Sequence, residues 1–142
     1  DTILRQLPKN GGVVMVTFVP GFTSPEVIAH DKRLGAERSR LQQTMLGDEA
    51  GVNRALDAWR KANPAPRATI AQVADHIDHI RKVAGIDHIG MGGDFDGITE
   101  VVQGLEDVSK YPALTAELLK RGYSDDDIKK AIPALHKALF ET

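Results

Sequence analysis

Two aspartates stand in a glycine-rich run, GGDFDG, at residues 92–97. The preceding segment, His88–Gly92, predicts a short buried strand. In α/β folds the carboxyl ends of the strands are where ligands bind, and a carboxylate there can accept a proton, pair with an ammonium group or bind a metal. Asp94 lies nearer the strand and is the better candidate for chemistry, whereas Asp96 precedes Gly97 and suits a turn. A structural turn, in which either carboxylate accepts hydrogen bonds from nearby backbone N–H groups, stays open.

A pair of histidines offers a second candidate site. His76 and His79 are one helical turn apart and could chelate a metal together. The buried face of this helix is defined by Ile77 and Ile80, however, so both histidines flank it toward solvent, and the sequence places no third ligand. We interpret them as part of a solvated helix face. Two isolated histidines are interpreted as surface residues: His30 and His136.

Composition excludes several classes of function. The 142 residues carry a formal net charge of −2, from 18 basic and 20 acidic residues, which disfavours nucleic-acid binding. Cysteine is absent, which excludes disulfides, thiolate metal sites and a cysteine nucleophile. We expect no signal peptide and no transmembrane segment, because no apolar run reaches the length of a membrane helix, about 20 residues. The chain is therefore expected to be soluble, with cytoplasm and periplasm both open.

The elements that must position these residues alternate between strands and helices. Val13–Phe18 is apolar on both faces and predicts a second buried, parallel strand. Helices are predicted over Thr2–Leu7 with Asp1 as cap, Pro25 to about Gln43, Asp48–Ala62, Thr69 to about Ala84, Pro112–Arg121, and Ser124 to about Phe140 with a kink at Pro133. The segment 104–112 is either an active-site lid or the start of a helix. This order predicts the α/β class, but two strands leave unpaired edges, so the chain is expected to be a piece of a larger fold or to need a partner.

Three segments in series resemble the membrane dipeptidase family (renal dipeptidase, peptidase family M19). They are GGVVMVTFVPGF from residue 11, ATIAQVADHIDHIRKVAGIDHIGMGGDFDGI from residue 68, and GLEDVSKYPALTAELLKRGYSDDDIKKAI from residue 104. The similarity is collinear over residues 1 to about 132. The helical segment at about 24–66 resembles an insertion common in bacterial members. Two departures are the tail over residues 132–140 and the lack of a clear counterpart to a loop tyrosine of animal members.

The resemblance implies a fold and a chemistry. The family fold is a distorted (β/α)8 barrel of the metallo-dependent hydrolase type, and residues 1–142 would be its C-terminal part, with strands seven and eight. Two zinc ions would serve the complete enzyme in cleaving dipeptides, with all ligands on strands that precede residue 1, so no metal is expected to be bound by this chain alone. Asp94 matches the family aspartate that faces the substrate's amino group and handles a proton. The chain would need the N-terminal barrel part, would be inactive alone, and could form homo-oligomers.

Two alternatives remain beside the zinc dipeptidase. The first is a non-catalytic barrel fragment or interaction module, since the zinc ligands are expected elsewhere. The second is a calcium or single-metal site built on Asp94 and Asp96, although the run does not match the twelve-residue calcium loop.

Overall fold

Two parallel strands form the sheet of this computed structural model, which describes residues 1–132. The strands are β1 (Val14–Thr17) and β2 (Ile89–Gly93). Val14 pairs with Ile89 and Thr17 with Gly93, with a register shift between Val16 and Thr17. The predicted α/β class and the parallel pairing are confirmed. The predicted continuation of the last helix to Phe140, the kink at Pro133 and His136 lie outside the described residues.

Helices make up most of the rest of the described chain. They are α1 (Leu7–Asn10), α2 (Pro20–Thr23), α3 (Pro25–Thr44), α4 (Glu49–Ala62), α5 (Ile70–Ala84), α6 (Tyr111–Lys120) and α7 (Asp125–Ala131). Short 3-10 helices cover Leu4–Gln6, Ile86–His88 and Val108–Lys110. None of the described helices is both long and apolar enough to cross a bilayer.

The N-terminal helix and the start of β2 differ from expectation. The predicted helix over Thr2–Leu7 is a 3-10 turn followed by α1, which ends at Gly11, and the side chain of Asp1 does not cap it. Pro8 lies in the first turn of α1, where its missing N–H has no helical partner to lose. His88 belongs to the 3-10 turn before β2, and its Nδ1 lies 2.7 Å from the carbonyl oxygen of Gly12.

The main core lies between one face of the sheet and helices α5, α6 and α7. Helix α5 begins at a capping box between Thr69 and Gln72 and buries apolar residues at helical spacing. They meet the inner side chains of the strands and the ring of Phe18, which directly follows β1 and is fully buried. The other face of β1 is open: Val13 is 52% exposed and Met15 55% exposed. The expected burial of both faces is therefore wrong for the described chain.

Helices α3 and α4 form a hairpin with a small core of its own. Leu41, Val52 and Leu56 are buried against each other, with Leu34 partly buried beside them. Ser24 caps α3, as the sequence predicts, by accepting a hydrogen bond from a backbone N–H group. Asp48, predicted as the first residue of the next helix, instead caps α4 in the same way. The two predicted helices are thus confirmed, while the interpretation of residues 24–66 as an insertion stays a prediction.

Candidate functional site

Asp94 lies at the carboxyl end of β2, at the start of a tight turn. The N–H of Gly97 donates to the carbonyl oxygen of Asp94 at 3.1 Å, which closes the turn over residues 94–97. Asp94 is exposed, so its carboxylate is accessible to a ligand. Asp96 is exposed as well and lies within the turn. The expected location of both carboxylates beyond the strand is observed.

The backbone before this turn is unusual. Gly93 has φ +50° and Asp94 has φ 72°, and Asp94 is the one non-glycine residue with positive φ among residues 1–132. Aspartate tolerates this left-handed region better than most residues, but the conformation costs free energy and must be held by its surroundings. The chain thereby reverses direction directly after the strand, and Asp94 takes the first position beyond it.

Three aromatic rings support the turn from beneath. The ring centroid of Phe18 lies 6.1 Å from that of Phe95 and 5.6 Å from that of Tyr111, in edge-to-face arrangements. Burial raises the pKa of Tyr111, so its hydroxyl stays protonated at neutral pH. The cluster fixes Phe95, the residue after Asp94, to the core.

The second half of the segment 104–112 forms the start of a helix, with helical structure from Val108 onward. Asp107 accepts a hydrogen bond from the N–H of Ser109 at 2.7 Å and caps a 3-10 turn that runs into α6. Tyr111, the first residue of α6, carries the ring that packs on Phe18. Of the two alternatives for this segment, the described contacts favour the helix start.

The histidine pair on α5 has separate partners. His76 Nε2 lies 3.2 Å from the carbonyl oxygen of Thr23, and His79 Nε2 lies 2.7 Å from Asp1 Oδ1. Both are exposed, as the helical pattern predicts. Residues 1–132 contain no group of three histidine, aspartate or glutamate side chains that could hold a metal. The described residues therefore do not fit a metal ion by themselves, at this pair or at Asp94 and Asp96.

His30 is buried, and the interpretation of it as a surface residue is wrong. It is 3% exposed, its Nε2 lies 3.1 Å from the carbonyl oxygen of Asn63, and its ring centroid is 5.4 Å from that of Trp59. Because a carbonyl only accepts, Nε2 carries the proton in this contact. His30 lies at helical spacing between Val27 and Leu34, and this periodicity was the signal that could have located it on the inner face of α3.

Comparison with known proteins identifies the family to which this chain belongs. The family model for membrane dipeptidase (peptidase family M19) matches residues 1–134. This chain belongs to the membrane dipeptidase family. The dipeptidase verJ of Clonostachys rogersoniana is 36% identical over 132 residues, which are 93% of this chain and 24% of that protein. The chain thus spans about a quarter of the length of this curated relative.

Solved structures of a probable dipeptidase and of a metallopeptidase are similar in fold to this chain. The probable dipeptidase PvdM of Pseudomonas aeruginosa superposes with a TM-score of 0.67 at 29% identity, over 89% of this chain and 36% of that one. A metallopeptidase of Rhodobacter sphaeroides, liganded with a phosphinate mimic of L-Ala-D-Ala, gives a TM-score of 0.57 at 26% identity, over 89% of this chain and 26% of that one. This M19 chain is therefore similar to part of each of these proteins.

Proposed function

We propose that the full-length M19 protein containing this chain is a zinc-dependent dipeptidase. Residues 1–142 would supply the C-terminal part of its (β/α)8 barrel, with β1 and β2 as strands seven and eight and residues 24–66 as an insertion. The observation that carries the proposal is the family match over residues 1–134, with Asp94 exposed at the carboxyl end of β2.

Zinc would polarise the peptide bond and supply the nucleophile in such an enzyme, and the described residues of this chain do not supply its ligands. The part of the chemistry assigned to this chain is that of Asp94. Its exposed carboxylate pairs with the free ammonium group of the dipeptide and holds or moves the proton that the leaving amine requires. The turn over residues 94–97 positions the carboxylate, and the aromatic cluster beneath limits its movement.

Asp94→Asn in the full-length protein tests this role. We expect kcat to fall by about 10²- to 10⁴-fold, the range for loss of a general acid or base, while the zinc content stays at two ions per chain. Dipeptide hydrolysis and elemental analysis on the same samples measure the two quantities. The matched control is Asp96→Asn, which removes the neighbouring carboxylate of the turn and should change kcat by a few-fold at most. Loss of zinc in Asp94→Asn would assign this residue a metal or structural role instead.

A non-catalytic module is the second candidate function. It is favoured by the lack of a metal-binding group among residues 1–132. Full-length protein that hydrolyses no dipeptide with added zinc would support this alternative and overturn the first. Tight stoichiometric zinc binding by the 142-residue chain would contradict the expectation that the metal ligands lie outside it.

A further inference from the structure

A cavity of about 590 Å³ lies between the two loops that follow the strands and the base of the α3–α4 hairpin. The loop after β1 contributes residues 19–21 and the loop after β2 residues 97–101. Most of its walls are apolar, and they include Val19, Val27, Leu34, Pro66, Ile98 and Val101. The volume falls within the range of pockets that bind small organic molecules, about 300–1,000 Å³.

The cavity adjoins Asp94 through Gly97. Gly97 lines the cavity, and its N–H donates to the carbonyl oxygen of Asp94 at 3.1 Å. Gly97 also lies against the Asp94 side chain, since a Cβ at this glycine would be 2.5 Å from Asp94 Oδ1. A molecule bound at the Asp94 carboxylate therefore has this cavity beside it.

Hydrogen bonds hold the far walls of the cavity in place. His30 Nε2 contacts the carbonyl oxygen of Asn63 at 3.1 Å, which ties α3 to the segment after α4. The N–H of Gln103 donates to the carbonyl oxygen of Ala68 at 2.8 Å, which ties the loop after β2 to the start of α5. Both links join parts of the chain that are distant in sequence and connect the segments that form the cavity walls.

The charged side chains that line the cavity, Asp31, Arg60, Arg67 and Glu100, are all exposed and of both signs, and the buried ring of His30 lines it as well. Arg60 donates to Asp57 at 2.9 Å and Arg67 lies 4.0 Å from Glu106, so each arginine already faces a carboxylate. Asp31 also lines the cavity, and its side chain is 59% exposed. With solvent-screened charges of both signs at its rim and apolar walls within, the cavity suits an uncharged apolar group.

We propose that this cavity binds the side chain of the amino-terminal residue of the dipeptide and selects an apolar one, such as leucyl or phenylalanyl. The inference rests on the proposed function, in which Asp94 contacts the amino group of the substrate. The first side chain of the dipeptide is attached to the carbon that carries this amino group, so it is the group that we assign to the cavity. The hairpin supplies one wall, so selectivity depends on α3 as well as on the loops after the strands.

Dipeptides with alanine as the second residue test the inference on the full-length protein. We expect kcat/KM for Leu-Ala and Phe-Ala to exceed that for Ala-Ala by about tenfold or more, and to exceed those for Lys-Ala and Glu-Ala. Val101→Trp would fill the cavity and should bring the ratio of Leu-Ala to Ala-Ala close to one. Val108→Trp is the matched control, because Val108 is 67% exposed and does not line the cavity, and it should leave this ratio unchanged.

Each outcome decides between the two proposals. Hydrolysis of Ala-Ala with no preference for apolar residues, or an unchanged ratio in Val101→Trp, would overturn the cavity inference and leave the dipeptidase proposal standing. Hydrolysis of none of the dipeptides would overturn both. If Val101→Trp fails to fold by circular dichroism, Ala65→Phe fills the cavity from an exposed position and carries the same expectation.

Discussion

Gly93 and Asp94 are two successive residues with positive φ, both in the left-handed region. The backbone is therefore strongly constrained where the chain leaves β2 and enters the turn. A left-handed residue with a Cβ costs about 1–2 kcal/mol. At Gly93 the space is limited too, since a Cβ would lie 3.1 Å from the Tyr111 hydroxyl and 3.2 Å from the Phe95 ring. Glycine there lets the chain bend sharply over the aromatic cluster, so that the cost is borne at Asp94 alone.

Gly93→Ala should therefore lower the free energy of unfolding by about 2–3 kcal/mol, through backbone strain and crowding together. Gly11→Ala separates the two contributions. Gly11 has φ +71° and nothing within 4 Å of its Cβ position, so its variant should cost only about 1 kcal/mol. Urea denaturation of both variants measures the difference, and equal losses would show that crowding by Tyr111 and Phe95 contributes nothing.

At the scale of the secondary-structure elements, the carboxylate of Glu26 links the start of α3 to the start of α5. Glu26 Oε2 accepts from Gln72 Nε2 at 2.7 Å and from the Ser24 hydroxyl at 2.9 Å. Hydrogen bonds from its own backbone N–H and from Ser24 lower the pKa of Glu26 below the ordinary value of 4.5. Since the folded-state pKa is the lower one, this stabilisation is complete above the unfolded value and is lost as pH falls through the folded value.

Glu26→Gln should accordingly lower Tm at pH 6, and the difference from the unmodified protein should narrow as pH falls below 4.5. Thermal unfolding followed by circular dichroism between pH 6 and pH 3 measures this. Glu49→Gln serves as the control, because Glu49 begins α4 and contacts neither Ser24 nor Gln72, so a smaller change is expected. A Tm difference for Glu26→Gln that stays constant with pH would contradict the assignment.

Most of these elements could be predicted because their signals are local. The caps at Ser24 and Thr69 and the apolar spacing of α5 depend on residues within a few turns, and the structure contains both helices as expected. The spacing of Val27, His30 and Leu34 could have placed His30 on the inner face of α3, but no local pattern indicates its hydrogen-bond partner Asn63, which is 33 residues away. The cavity likewise requires four separate segments to meet, which no local pattern encodes.

At the scale of the whole molecule, the most notable feature is the open face of β1, which no other part of the described chain covers completely. Val13 and Met15 lie on it, opposite the buried face that carries Val16 and Phe18. If the sheet is part of a barrel, as proposed, both faces of its strands are covered. The location of Asp94 could be predicted from the sequence, whereas the exposure of this face could not, because the described residues leave Val13 and Met15 about half-exposed.

Met15→Lys in the full-length protein should then cost more than about 3 kcal/mol, because it would bury an unpaired charge. Within this chain alone Met15 is 55% exposed, and surface substitutions usually change stability by at most about 0.5 kcal/mol. Leu46→Lys, at a side chain 86% exposed on the hairpin tip, is the control with no expected loss. Chemical denaturation measures the free energy of unfolding of both variants. A Met15→Lys variant as stable as the unmodified protein would argue against a sheet covered on both faces.

The separate core of the α3–α4 hairpin has a practical consequence. Its tip, residues 45–47, is exposed and lies about 17 Å along α3 from Leu34, the nearest residue of that helix that lines the cavity. Exposed tips outside a main core are where inserted sequence is best tolerated. A fluorophore or an affinity tag placed there would report on the protein, or immobilise it, with little disturbance to the turn that presents Asp94.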